Sequence, residues 1–180
     1  PDFSLYKTSD YMPAFEQAIA EKRAEIKKII ECTDAPTYAN TIDALELSGR
    51  LLDKVGSIFF TLNESDSNDE MLSIENNISP KLTELGGYIY MNDTLFNRIR
   101  TLYDNRANLG LTEEQSIVLE NYYKEFVRGG ALLDKKEKRL LLDINTQLGL
   151  ESIKFGSNLL ADSKEFQMII TNEKELSGLP

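Results

Sequence analysis

Between Pro36 and Leu62 the chain carries an apolar seam that only a well-covered helix can satisfy. Leu45, Leu52 and Phe59 recur every seven residues, Val55 and Leu62 fall between them at helical spacing, and Ile42, Leu51 and Ile58 flank the seam. Pro36 stops any earlier helix from running through, because it lacks an amide proton and its ring clashes with the preceding turn. Thr37 or Asn40 can cap the new helix. Gly49 and Gly56 lie inside it, each costing about 1 kcal/mol relative to Ala, and close approach of a neighbouring backbone is the economical reason to keep them. This helix is expected to be the central post of an all-α domain.

Reciprocal caps mark most of the other helices. A first helix is expected over about Asp10 to Glu31, with Pro13 tolerated in its first turn and Phe15, Ile19, Ile26 and Ile30 on its inner face. Ser67 with Glu70, Thr112 with Gln115, and Asp134 with Glu137 each have the capping-box spacing, in which side chains and amides three residues apart satisfy one another. They open helices carrying Met71 to Ile89, Ile117 to Val127, and Leu140, Leu141, Ile144, Leu148, Ile153 and Phe155 on to about Leu160. Pro80 predicts a kink or break at Ser79-Pro80. Asn92 or Asp93 starts a further helix with Leu95, Phe96, Ile99, Leu102 and Tyr103, and Gly110 closes the turn after it. An N-terminal arm is expected to pack Phe3, Leu5 and Tyr6 on the bundle. Phe166 to Thr171 reads as a short strand with no visible mate. Residues 1–180 are thus read as one all-α domain, six to seven long helices in an antiparallel bundle, with a short C-terminal strand.

The absence of histidine removes whole classes of chemistry at once. The sequence contains none, which excludes Ser-His-Asp catalysis, the usual zinc and di-iron helix motifs, histidine phosphotransfer and His-ligated haem. A formal net charge of −10 repels phosphate backbones and anionic lipid, so no nucleic-acid or membrane partner is expected. The one cysteine, Cys32, makes no intrachain disulfide. Glu113-Glu114 and the Asp134/Glu137 pair resemble acid/base pairs but read as caps and solvated faces. Tyr122, Tyr123, Tyr88 and Tyr90 can be read as lining a groove, or more simply as boundary packing. Gly86-Gly87 and Gly129-Gly130 lack phosphate-loop spacing and read as turns or packing points. No catalytic, cofactor-binding or metal-binding residue is assigned.

Several short stretches, taken in order, carry a resemblance. Tyr11-Met12-Pro13-Ala14-Phe15 is similar to the Y-x-P-A-F opening of the thimet-oligopeptidase-like zinc metallopeptidases. Pro36-Thr37-Tyr38-Ala39-Asn40-Thr41-Ile42 resembles their P-T-F-E-N-T-I, with Tyr38 for Phe and Ala39 for Glu. Gly49-Arg50-Leu51-Leu52, Ile78-Ser79-Pro80-Lys81-Leu82, Leu119-Glu120-Asn121-Tyr122-Tyr123, Phe126-Val127-Arg128-Gly129-Gly130-Ala131, Phe155-Gly156-Ser157-Asn158 and Leu176-Ser177-Gly178-Leu179-Pro180 follow in order. The Phe126–Ala131 version looks most like the bacterial peptidyl-dipeptidases of that family.

What the resemblance implies is a parent enzyme about four times longer, whose H-E-x-x-H helix holds zinc and whose substrates are short peptides cleaved near the free C-terminus. This chain, which starts at Pro1 rather than Met, would be its helical N-terminal region. It would bind no zinc itself, form one wall of the substrate channel, and have the absent C-terminal catalytic half as its partner. A cytoplasmic location is the expectation, with a periplasmic one as the alternative. The rival readings are a freestanding helical interaction module and a ligand-binding bundle built around an apolar pocket.

Overall fold

Side-chain caps fix where most helices begin. The computed structural model describes residues 6–65, 67–165, 169, 171, 177 and 178. Among these run six long helices: α1 (Thr8–Ile30), α2 (Arg50–Ser65), α3 (Asp69–Tyr90), α4 (Asp93–Asp104), α5 (Glu113–Arg128) and α6 (Lys135–Glu165). Thr112 and Gln115 exchange hydrogen bonds of 3.1 Å each way. Asp134 and Glu137 do the same at 2.8 and 3.0 Å, and Asn92 accepts from the Leu95 amide at 2.9 Å. The remaining expected box does not form. Asn68 caps α3 instead, accepting from the Met71 amide at 3.0 Å, while the Ser67 hydroxyl donates to Asn63.

Three other expectations need correction or fall outside the described residues. Pro80 sits inside a continuous α3 without breaking it, because packing against both α1 and α6 overrides the local penalty. Tyr6 is exposed rather than packed, the adjoining aromatic space being filled by Tyr11, Phe15 and Phe59; Phe3 and Leu5 lie outside the described residues. Among the described residues there is no strand. Ile169 and Thr171 belong to none, and the rest of the predicted Phe166–Thr171 strand lies outside them.

The Pro36–Leu62 stretch is two helical pieces, not one. A π-helical turn, Ala39–Asp43, passes into a single α-turn at Ala44–Glu46. The chain then turns at Leu47 to Gly49 before α2. Gly49 adopts φ +79°, a left-handed conformation that stops the first piece. Its amide donates to Glu25 of α1 at 2.7 Å, and a Cβ there would collide with the flexible end of Lys22 rather than with a backbone. Gly56 meets only Phe60 of its own helix at ordinary distance, so no close approach explains it.

One buried guanidinium holds the turn in front of this segment. Arg98 of α4 is only 6% exposed. Its Nη1 donates to the carbonyls of Cys32 (2.9 Å) and Asp34 (3.1 Å), and its Nη2 to Asn40 Oδ1 at 2.7 Å. Asn40 Oδ1 also accepts from the Thr37 amide, the Thr37 hydroxyl accepts from the Asn40 amide, and Asn40 Nδ2 donates to Ala35 O. Thr37 and Asn40 therefore cap the segment together, as a reciprocal pair. Thr41 and Ile42 just beyond are fully buried.

The centre of the bundle is the α1–α3 pair, not α2. Helix α1 packs on α2, α3 and α4, and α3 packs in addition on α5 and α6, whereas α2 packs chiefly on α1. Ion pairs Glu16–Lys81 and Arg23–Glu84 advance together along α1 and α3, which makes that pair parallel. Phe15 meets Phe59 and Lys22 meets Gly49, so α1 and α2 are antiparallel. Gly87 lies against Leu142 and Gly149 against Ser79 and Thr83, so α3 and α6 are antiparallel too. The bundle is thus mixed. One core cluster gathers Ile26, Ile42, Leu85, Leu95, Ile99, Leu119 and Phe126. A second gathers Tyr11, Phe15, Phe59, Ile74 and Ile78, and Ile19 and Leu52 pack against both.

Gly49→Leu is expected to cost about 1–2 kcal/mol, the penalty of a left-handed residue with a Cβ, read as a lower urea midpoint; an unchanged midpoint would refute the left-handed requirement. Arg98→Met should cost about 2–4 kcal/mol by stranding the Cys32 and Asp34 carbonyls and removing one of the bonds to Asn40 Oδ1. Arg98→Lys should recover only part of that, because an ammonium cannot reproduce the planar fork. Full recovery would show that charge alone matters there.

Candidate docking face

The last helix, α6, has two apolar faces, and only one is covered. On the inner face Leu142 fits against Gly87, where a Cβ would lie 2.9 Å from Leu142 Cδ1, and Leu141 fits against Gly130. Lys138 ties the start of the helix to the turn between α3 and α4, donating to Met91 O at 2.9 Å and to Asp93. Gly149 comes close enough to Ser79 that a Cβ would sit 2.9 Å from its Oγ. One heptad further on the same face, Gly156 has nothing within 4 Å. A cleft lined by Asn63, Leu72, Glu75, Ile153 and Leu160 opens there.

The outer face is a row of large apolar side chains in water. Leu140, Ile144, Leu148, Phe155 and Leu159 are 60, 49, 63, 71 and 57% exposed. Their spacings of four, four, seven and four place them on one stripe. From Leu140 to Ala161 the only charged residues are Asp143, Glu151 and Lys154, although 28% of the chain is charged. Charge depletion around exposed large apolar groups is the composition of an interface core. The sequence reading merged both faces into one, because Leu140, Leu141, Ile144, Leu148, Ile153 and Phe155 all fit a helical period. The thinness of charge was the available signal.

The other sequence candidates resolve into packing. Tyr123 stacks on Tyr103 with ring centroids 4.0 Å apart, and Tyr90 sits edge-on to Phe126 at 5.1 Å. Arg23 lies 4.5 Å over the Tyr88 ring. The Tyr122 hydroxyl donates to Glu46 at 2.6 Å. Burial, and then that carboxylate, push its pKa up from the ordinary tyrosine value. Glu113 and Glu114 are exposed in the first turn of α5, and Asp134 and Glu137 are spent on their cap. Gly87, Gly129 and Gly130 are packing points for Leu142, Tyr90 and Leu141. Among the described residues, no group of three or more His, Cys, Asp or Glu is placed to hold a metal ion, and no helix is long and apolar enough to cross a membrane.

Because the outer stripe is already in water, Leu148→Glu and Phe155→Glu should each change stability by no more than about 0.5 kcal/mol. Together they should cut the binding of an apolar fluorescent dye at least by half. Destabilisation on the scale of a core truncation would show that the stripe is covered.

No family model matches the chain. Dipeptidyl carboxypeptidases of Salmonella typhimurium and Escherichia coli are each 35% identical to it over 179 residues, covering 99% of this chain and 26% of the relative. Oligopeptidase A of Salmonella typhimurium is 24% identical over 180 residues, again 26% of its length. The chain spans about a quarter of the length of the relatives it matches. Along its whole length it is homologous to the N-terminal quarter of the dipeptidyl carboxypeptidases and oligopeptidases A.

Proposed function

We propose that this chain is the non-catalytic N-terminal region of a zinc peptidyl-dipeptidase that removes C-terminal dipeptides from short peptides. The observation that carries the reading is the match to dipeptidyl carboxypeptidases over 179 residues that amount to only a quarter of those proteins. The sequence has no histidine, and among the described residues no group of three or more His, Cys, Asp or Glu is placed to hold a metal ion. The reading assigns the metal and its chemistry to the remaining three quarters. On this reading the helices form one wall of the substrate channel. The buried Arg98 clamp and the α3–α6 glycine contacts keep that wall stiff enough to admit extended peptides and exclude folded ones. A cytoplasmic location accompanies the proposal. A freestanding helical interaction module is the second reading, favoured by the exposed stripe on α6.

The reading frame beyond Pro180 is expected to continue through an H-E-x-x-H sequence. The full-length protein should release C-terminal dipeptides from a blocked tripeptide and stop on chelation. The 180-residue chain alone should show neither turnover nor a zinc-induced rise in melting temperature. A stop codon after Pro180, or turnover by the isolated chain, would overturn the proposal.

A further inference from the structure

The geometry points to a specific interface: the outer stripe of α6, from Leu140 to Leu159, is the seat on which the rest of the same polypeptide packs. This rests on the reading above, that the chain is the first quarter of a longer protein, and it deepens that reading by assigning the face. Three observations select this occupant. The relatives extend for about three times the length of this chain beyond the matched quarter, so an occupant of ample size is implied. The stripe runs over 20 residues, about 29 Å from end to end, and at a helix width of about 10–12 Å it offers on the order of 300 Å². Independent partners need roughly 800 Å² each to hold together, whereas a tethered segment benefits from high effective concentration and needs far less. A second copy would also bring another formal charge of −10 against the first.

The face itself has the chemistry for permanent cover. Asp143, Glu151 and Lys154 are its only charges, and Phe155 and Leu148 at its middle are among the most exposed large apolar groups among the described residues. Such a stripe is unsuited to lining a water-filled peptide channel, where large apolar groups would stay in solvent. The occupant presents an apolar surface of its own. The channel wall consequently lies on another side of the bundle.

The test is site-specific photocrosslinking in the full-length protein, with benzoylphenylalanine placed singly at Leu148 and at Phe155. Crosslinks from both positions to residues beyond 180, in a yield independent of protein concentration, are expected. Crosslinks to a second copy, or a yield at background from both positions, would overturn the assignment. The same preparations are assayed for dipeptide release, which separates the two claims. Crosslinks to later residues without peptidase activity would support the docking face and sink the peptidase reading. Activity without crosslinks would do the reverse.

Discussion

A guanidinium carried into the interior without a carboxylate beside it is expensive unless every donor that can be satisfied is satisfied. Arg98 meets that condition almost completely. Two carbonyls of the α1–α2 connection and one amide oxygen receive its terminal nitrogens, and only Nε remains without a partner. The effect is to fasten α4 to a loop that has no secondary structure of its own. Two neighbouring parts of the bundle meet at that clamp. On one side α4 carries α5 by the stacked Phe96, Tyr103, Tyr123 and Phe126 rings. On the other, the clamped turn sets where Asn40, Thr41 and Ile42 enter the core, and so how the chain meets α1.

How far the sequence disclosed this depends on whether the deciding partner was near in the chain. Thr112/Gln115 and Asp134/Glu137 were legible because a capping box is closed by residues three apart. The stop at Gly49 was not. Leu45 and Leu52 look like successive heptad positions, yet they lie on two pieces separated by a left-handed residue. What binds that residue's amide is Glu25, on another helix. Arg98 left a fainter trace, three residues after Leu95 and four before Leu102, a charged residue at apolar spacing. The break that Pro80 offered as one outcome failed for the converse reason, since a strong local preference yielded to packing on two sides.

The α6 stripe shows a different limit. Apolar residues at helical spacing tell that a helix face has a partner, and they do not tell whether the partner is in the sequence at hand. Six such residues were visible from Leu140 to Phe155, and the structure leaves four of them in water, sets Leu141 against Gly130 and places Ile153 in the cleft beside α2 and α3. The family relationship was legible by another route, because short motifs scattered from Tyr11 to Pro180 occur in one order. That route depends on ordered matches and not on periodicity, so it survived errors in helix boundaries.

Exposure of Leu140, Ile144, Leu148, Phe155 and Leu159 also has a meaning in time. A ribosome adds roughly 5–20 residues per second, so on the proposed reading the later three quarters take on the order of a minute to emerge. For that interval the first six helices have their own core but an uncovered apolar edge. Nascent-chain chaperones that recognise exposed hydrophobic segments would find one ready-made on α6. Synthesis of such a protein is therefore most vulnerable to misassociation in its middle, after this quarter has folded and before its cover arrives.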